Sequence, residues 1–165
     1  MTAEVNPLSA EKKYWRLKMK RKVVLSIVVF FLLPCIVFAD SEERQRARIR
    51  DANSRNLSLI ASGENYSLYA DKNGCFYLYS ENWLSNAVYL YRGNGKVTKG
   101  QIEAEMNEAS SVSKIIDTSY TVYYVSMSLF SETHYYVKTP KGDFYSISEK
   151  IKTINASASK FIDEL

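Results

Sequence analysis

The chain is poor in the residues from which enzymes build reactive centres. Its 165 residues include one histidine, His134, and two cysteines, Cys35 and Cys75. A zinc site needs three or four Cys, His or carboxylate ligands, and a thiol nucleophile needs a base beside it. The pair of Cys75 and His134 is the one such combination outside the apolar segment, and no catalytic signature surrounds either residue. We therefore expect no enzyme activity, no metal and no cofactor.

Glycine and proline are also scarce, at 6 and 3 residues, and the glycine-containing stretches do not form ligand loops. Gly93-Asn94-Gly95-Lys96 lacks both the upstream glycine and the following Ser or Thr of a phosphate-binding loop. Asp71-Lys72-Asn73-Gly74 lacks the later acidic residues of a calcium loop. Both stretches therefore predict turns between strands.

What the sequence does contain is an uncharged apolar run, residues 23–39, in which thirteen of seventeen residues are Val, Ile, Leu or Phe. At mid-membrane these residues favour insertion by about −4 to −8 kcal/mol in total, as an upper figure. A helix of this length spans about 26 Å, slightly less than the ~30 Å hydrocarbon core. We predict one transmembrane helix here. Its representative lipid-facing residues are Val23, Phe30, Leu33 and Phe38.

Basic residues concentrate on the amino-terminal side of this run. Residues 1–22 hold seven Lys or Arg and two acids, whereas the rest of the chain holds fifteen basic and sixteen acidic residues. The asymmetry predicts a cytoplasmic tail at residues 1–22 and a carboxy-terminal domain in the periplasm of a bacterial inner-membrane protein. The nearly neutral exported part excludes a nucleic-acid partner. The topology-setting residues are Lys18, Lys20, Arg21 and Lys22.

A cleaved signal peptide is the alternative for the same segment. Val37-Phe38-Ala39 places small residues at the positions that a signal peptidase requires, and Met19 offers an internal start that would shorten the basic region. Cleavage after Ala39 would leave a soluble periplasmic protein. The two interpretations share the export of residues 40–165 and differ in whether the domain stays attached to the membrane.

Periodicity predicts the organisation of the exported part. We expect a polar stalk, helical or partly ordered, at 40–62 and a single α+β domain at 63–165, with about six antiparallel strands and two helices in the order βββα-βββα. The second set of residues in the long aromatic strand, Tyr123 and Val125 onward, is expected to face the core. The predicted strands are Tyr66–Ala70, Cys75–Ser80, Ala87–Arg92, Thr118–Phe130, His134–Thr139 and Phe144–Ile147. The predicted helices run from Gln101 to Ile116 and from Ser148 onward, with Ile151, Ile154, Ala158 and Phe161 or Ile162 on one face.

Tyrosine is the one compositional excess, with 13 residues. Cross-strand aromatic packing is one explanation. The other is recognition of a protein partner or a small amphiphilic ligand, because tyrosine is enriched at interfaces. Cys75 is expected to be a buried small residue, with an intermolecular disulfide in a homodimer as the alternative. The candidate contact residues are Tyr77, Tyr79, Tyr89, Tyr91 and Cys75.

The layout of short basic tail, single membrane segment and small exported α+β domain resembles the single-pass accessory proteins that support membrane-embedded transcription regulators, the ToxS type. The resemblance lies in topology and size, and it implies a regulatory accessory protein that binds and stabilises a membrane partner, with sensing of an envelope signal as a further implication. A cleaved periplasmic immunity protein that inhibits a toxin is the first alternative. A structural subunit of a secretion or conjugation complex is the second.

Overall fold

The computed structural model describes residues 41–127 and 133–157, so the predicted tail and membrane segment lie outside the described residues. Within those ranges the chain forms two helices and ten strands, and every strand pair is antiparallel. The predicted antiparallel α+β class is confirmed. The elements are α1 (residues 41–54), β1 (Ser58–Ser62), β2 (Tyr66–Ala70), β3 (Phe76–Asn82), β4 (Ala87–Gly93), β5 (Gly95–Val97), α2 (Lys99–Glu108), β6 (Ser111–Asp117), β7 (Thr121–Ser126), β8 (Thr133–Lys138), β9 (Phe144–Ile147) and β10 (Glu149–Asn155).

The strands form two five-stranded sheets whose inner faces share one apolar core. Sheet A has the order β1-β2-β3-β4-β10, and sheet B has the order β5-β9-β8-β7-β6. Because side chains alternate between the faces of a strand, every second residue points between the sheets. Fully buried aliphatic residues fill this space: Leu68 and Leu78 from sheet A, with Val122, Val137 and Ile147 from sheet B.

One helix covers each outer face. Ala52 of α1 packs against Tyr79 and Leu90 of sheet A. Ile102 of α2 packs against Val125 and Tyr136 of sheet B. The strands are therefore apolar on both faces, which corrects the expectation that only the Tyr123 and Val125 face of the long aromatic strand is buried: Val122 of the other set is also 0% exposed.

The two sheets are joined at a corner where one hairpin ladder bends. Arg92 of β4 pairs with Glu149 of β10, and Gly95 of β5 pairs with Ser146 of β9, so the same two chain segments continue from sheet A into sheet B. At the bend, a Cβ on Gly93 would lie 2.2 Å from the carbonyl oxygen of Ser146. Glycine is required there because the two backbones touch.

The helix predicted for Gln101–Ile116 is too long, because its second half is a strand. Thr98 and Gln101 form a capping box that begins α2, and the helix ends at Glu108. The Ser-rich, β-branched stretch that follows has poor helix propensity and instead pairs with β7 as β6, with a bulge between Lys114 and Ile116.

The helix predicted from Ser148 is wrong within the described residues, where Glu149–Asn155 forms strand β10 along the edge of β4. The spacing of Ile151 and Ile154 suggested a helix. In the strand, a bulge at Ile151, which is skipped in the pairing register, brings two residues three positions apart to the same face. Ile151 and Ile154 therefore both pack on the α1 side of sheet A. Ala158, Phe161 and Ile162 lie outside the described residues.

The segment interpreted as a polar stalk contains packed structure. Residues 41–54 form α1, in which Arg44, Ala47 and Ala52 are buried, and Ser58–Ser62 forms β1 beside β2. Gly63 then lies against sheet B, where an added Cβ would come within 2.4 Å of the carbonyl oxygen of Ile115. These residues are therefore part of the domain, and the strands within the described ranges number ten where six were expected.

Candidate binding site between the sheets

Four tyrosines from both sheets pack together at one end of the inter-sheet core, and a fifth, Tyr89, lies on the same face of sheet A. In sheet A, Tyr66 of β2 and Tyr89 of β4 both pair with Ser80 of β3, which aligns them in one cross-strand row, and Tyr91 lies in the next row. In sheet B, Tyr124 of β7 pairs directly with Tyr135 of β8. Strand alternation directs these rings to the space between the sheets. We call Tyr66, Tyr89, Tyr91, Tyr124 and Tyr135 the tyrosine cluster.

Tyr135 is the centre of this cluster. Its ring centroid lies 4.8 Å from that of Tyr91, 5.8 Å from that of Tyr124 and 6.5 Å from that of Tyr66, with interplanar angles of 55–62°. Tilted contacts at these distances are favourable because the electropositive edge of one ring meets the electronegative face of the next. Tyr135 is 4% exposed, whereas the other four tyrosines are half-buried. The cluster is thus a surface layer of phenols over a single buried ring.

Two hydroxyls at the centre of this cluster, those of Tyr135 and Tyr91, stay protonated. Burial raises the pKa of Tyr135 far above its usual value, and the neighbouring Tyr91 and Tyr66 raise it further. Burial likewise raises the pKa of Tyr91. Tyr135 and Tyr91 therefore offer neutral hydroxyls that both donate and accept hydrogen bonds, beside apolar rows that contain Leu68 and Leu78. Such a surface suits an amphiphilic contact better than a charged one.

Tyr89 is the member of the cluster nearest to charge. The ammonium group of Lys150 lies 4.4 Å from its ring centroid, a cation–π arrangement. Its hydroxyl is 3.3 Å from the hydroxyl of Ser85, in the turn between β3 and β4. The cluster therefore lies at the end of the domain that carries this turn.

The other predicted contact residues of β3 face away from this site. Tyr77 and Tyr79 lie on the α1 side of sheet A. Tyr79 is 0% exposed, and its hydroxyl donates to Oδ2 of Asp51 at 2.9 Å. Tyr77 is half-buried, with its hydroxyl 3.4 Å from Asp71. Of the four predicted tyrosines, the structure brings together Tyr89 and Tyr91. Sequence reasoning left Tyr66, Tyr124 and Tyr135 out of the contact set, although strand alternation could have placed them on the inner faces.

Cys75 and His134 are not brought together. Cys75 is half-buried beside β3 in sheet A, where burial raises the pKa of its thiol and the carboxylate of Asp71 raises it further. Nδ1 of His134 is 2.5 Å from Oε1 of Glu105 on α2, the helix that covers the outer face of sheet B. Tyr136 donates its hydroxyl to the other oxygen of Glu105. The inter-sheet core separates the thiol from the imidazole.

A polar groove of about 380 Å³ lies between α1 and the β1–β2 hairpin. On its wall, Nη1 of Arg48 donates to Ser67 at 2.5 Å and to Glu81 at 2.8 Å. Nε of Arg44 lies 3.9 Å from the same carboxylate of Glu81. These bonds fasten α1 to sheet A, which accounts for arginines in a helix that the sequence suggested was solvated.

Residues 41–127 and 133–157 contain no group of three or more His, Cys, Asp or Glu residues arranged to hold a metal ion. In the same ranges, neither helix has the length and hydrophobicity needed to cross a bilayer. Val23, Phe30, Leu33 and Phe38, and the basic residues Lys18, Lys20, Arg21 and Lys22, lie outside the described residues. Comparison of the chain with protein-family models, curated proteins and solved structures gives no match.

Proposed function

We propose that this chain is a membrane-anchored interaction protein that binds and modulates a protein partner of the same bacterial inner membrane, through a domain held in the periplasm. The observation that carries the proposal is the tyrosine cluster, in which the half-buried rings of Tyr66, Tyr91 and Tyr124 pack on the buried ring of Tyr135. Hot spots of protein interfaces are rich in tyrosine because the ring buries a large area at low entropic cost while the hydroxyl forms a hydrogen bond.

The placement in the membrane is proposed from the sequence. The uncharged run at residues 23–39 and the seven basic residues before it favour a cytoplasmic amino terminus. The domain that follows is firmly built, with α1 fastened to sheet A by Arg48 and Glu81. A packed module close to an anchor suits lateral binding to another membrane protein, because tethering both partners to one surface raises their effective concentration.

A small amphiphile is the alternative occupant of the same site. The hydroxyls of Tyr91 and Tyr135 remain neutral, and apolar rows lie beside them, so the cluster offers both halves of an amphiphile a suitable contact. In that case the protein would sense an envelope signal and pass it to its partner. Native mass spectrometry of the detergent-extracted chain distinguishes a bound small molecule from a bound polypeptide.

The decisive experiment compares two tyrosines of similar burial on opposite faces of sheet A. The full chain is extracted from its own membrane with its partner, which is identified by cross-linking from position 89. Binding is then measured for Tyr89→Ala and for Tyr77→Ala. We expect Tyr89→Ala to weaken the affinity at least about tenfold, as a hot-spot residue does, and Tyr77→Ala to change it little.

Equal effects of the two substitutions would contradict the assignment of the tyrosine cluster as the contact surface. Intact mass of the extracted chain tests the anchor separately. Loss of residues 1–39 would favour the soluble immunity protein, whereas retention supports the anchored module. Recovery of the chain in a stoichiometric secretion or conjugation assembly would favour the structural subunit.

A further inference from the structure

The turn between β3 and β4 presents two large apolar side chains to solvent. Trp83 is 63% exposed and Leu84 is 77% exposed, and they are the two most exposed of the five exposed large hydrophobic residues in the described ranges. A single exposed apolar residue is ordinary on a protein surface. An adjacent tryptophan and leucine at the tip of one hairpin form an exposed apolar patch, and such patches mark protein or membrane interaction sites.

The exposure of this tip is built into the structure. Oδ1 of Asn82 accepts hydrogen bonds from the backbone amides of Leu84 at 3.0 Å and Ser85 at 3.2 Å. Such a side-chain turn fixes the loop backbone locally. The far side of the turn is held by Asn86, which accepts from Arg44 at 3.2 Å and donates to Ser157 at 2.8 Å. The two apolar side chains are therefore presented from a firmly held scaffold.

Three contacts define where this tip lies along α1. Arg44 meets Asn86 in the turn, Arg48 meets Glu81 near the end of β3, and Asp51 meets Tyr79 further back along β3. The helix therefore runs along β3 away from the turn, so the turn that carries Trp83 and Leu84 lies at the amino-terminal end of α1. The tyrosine cluster opens at the same end, through the contact of Tyr89 with Ser85.

Few residues separate the start of α1 from the apolar run along the chain. Five residues lead from Ala39 to Arg44, which is at most about 17 Å of extended chain and about 7.5 Å of helix. The headgroup layer on each side of a bilayer adds roughly 5–8 Å to the hydrocarbon core. If residues 23–39 span the membrane, a connection of this length allows the tip to reach the headgroup layer.

We propose that Trp83 and Leu84 insert into the lipid–water interface of the membrane that residues 23–39 enter, so that the turn between β3 and β4 is held at the bilayer surface. Tryptophan favours this interface because its ring is apolar and its N–H is polar. Residues 82–91 include no charged residue, so insertion of the turn buries no charged side chain of its own. This inference rests on the proposed membrane anchor.

The experiment uses Trp83 as its own probe. The chain contains two tryptophans, Trp15 and Trp83, so Trp15→Phe leaves Trp83 as the only one. This full-length variant is reconstituted into vesicles of phosphatidylcholine and phosphatidylglycerol, with or without bromines on the acyl chains. We expect blue-shifted emission that is quenched strongly by the brominated lipid and protected from iodide in the surrounding water.

A matched control moves the tryptophan to the opposite end of sheet A. Asn73 is exposed in the β2–β3 turn, so Asn73→Trp in a Trp15→Phe, Trp83→Phe background should be quenched by iodide and not by brominated lipid. A chain that resists alkaline extraction from the vesicles but whose Trp83 behaves like this control would overturn the interfacial site and leave the anchor intact. Protection of Trp83 only after a partner protein is added would also overturn it, in favour of a protein-docking turn. Release of the chain by alkaline extraction would overturn anchor and interfacial site together.

Discussion

The hydroxyl of Tyr79 donates a 2.9 Å hydrogen bond to Oδ2 of Asp51, and this contact joins α1 to the centre of sheet A. The same carboxylate receives Nε of Arg55 at 3.0 Å and Nζ of Lys152 at 2.5 Å. It therefore links three elements: α1, β3 and the edge strand β10. The Asp51 side chain is 9% exposed, so its three partners take the place of water.

Asp51→Asn should destabilise the domain. The amide is uncharged and cannot accept all three donors, which leaves the buried Tyr79 hydroxyl short of a partner. We expect the free energy of unfolding to fall by about 1–3 kcal/mol, the usual range for a buried polar group that loses its partner, measured by urea denaturation. Asp117→Asn is the control, because the ion pair of Asp117 with Lys114 is more than half exposed and such pairs contribute little. Equal losses of unfolding free energy in the two variants would show that the Asp51 contacts stabilise the domain no more than an exposed ion pair does.

Acid should remove the stability that the ionised carboxylate of Asp51 contributes. Burial acts to raise the pKa of Asp51, but hydrogen bonds from Lys152, Tyr79 and Arg55 outweigh it and hold the pKa below its ordinary value. A depressed folded-state pKa stabilises the protein above the unfolded-state value, about 3.9, and this stability is lost as the pH falls through the folded-state value. The difference in unfolding free energy between the native chain and Asp51→Asn should therefore be constant near neutrality and shrink in acid. A difference that does not change across the titration would contradict this linkage.

The central strands can be predicted from the sequence because their apolar residues are clustered and are bounded by turn residues. All six predicted strands exist, and Tyr66–Ala70 and Phe144–Ile147 match their predicted bounds. The edge strands were missed for a physical reason. In β10, a bulge at Ile151 gives the spacing of a helix, and in β6 most residues are exposed, so neither strand alternates along its sequence.

The sequence allows a helix in the region of α1, but its packing on the domain was not predicted because polar contacts stabilise much of its buried face. Its buried and half-buried residues follow helical spacing at 43, 44, 47, 48, 51 and 52, but four of these six are charged. A hydrophobicity pattern cannot detect a face held by Arg48, Glu81 and Asp51. Only part of the tyrosine cluster could be predicted from the sequence. Strand alternation gives the face on which each ring lies, but the contact of Tyr91 with Tyr135 depends on how sheet A packs on sheet B.

Gly93→Ala should strain the corner between the sheets. Its Cβ would lie 2.2 Å from the carbonyl oxygen of Ser146 and 2.7 Å from Cα of Ile147, and both are backbone atoms that cannot rotate away. We expect a loss of about 1–3 kcal/mol or more, as overpacking commonly costs. Gly95→Ala is the neighbouring control, since nothing lies within 4 Å of its Cβ. Thermal or urea unfolding of the pair measures the difference, and unchanged stability of Gly93→Ala would mean that the corner opens readily.

Cys75 should react slowly with alkylating reagents in the folded protein. Burial, and then the negative charge of Asp71, raise the pKa of its thiol, and the thiolate is the reactive form. In a Cys35→Ser chain, the alkylation rate with iodoacetamide at neutral pH should be lower when folded than in urea, and it should continue to rise into the alkaline range. A folded-state rate that levels off near neutral pH would contradict the raised pKa. A dimer lost on reduction would support the disulfide alternative.

Glu105→Ala should loosen α2 without unfolding the rest of the domain. The carboxylate of Glu105 binds Nδ1 of His134 at 2.5 Å and accepts the hydroxyl of Tyr136, a residue that is 6% exposed. Ile102 is the one fully buried residue that α2 contributes, so the helix depends strongly on these polar contacts. We expect amide exchange over residues 99–108 to accelerate about tenfold, which corresponds to about 1.4 kcal/mol of local stability. Glu103→Ala is the matched control, because its pair with Lys99 is more than half exposed. Unchanged exchange in Glu105→Ala would show that Ile102 and its apolar neighbours hold the helix alone.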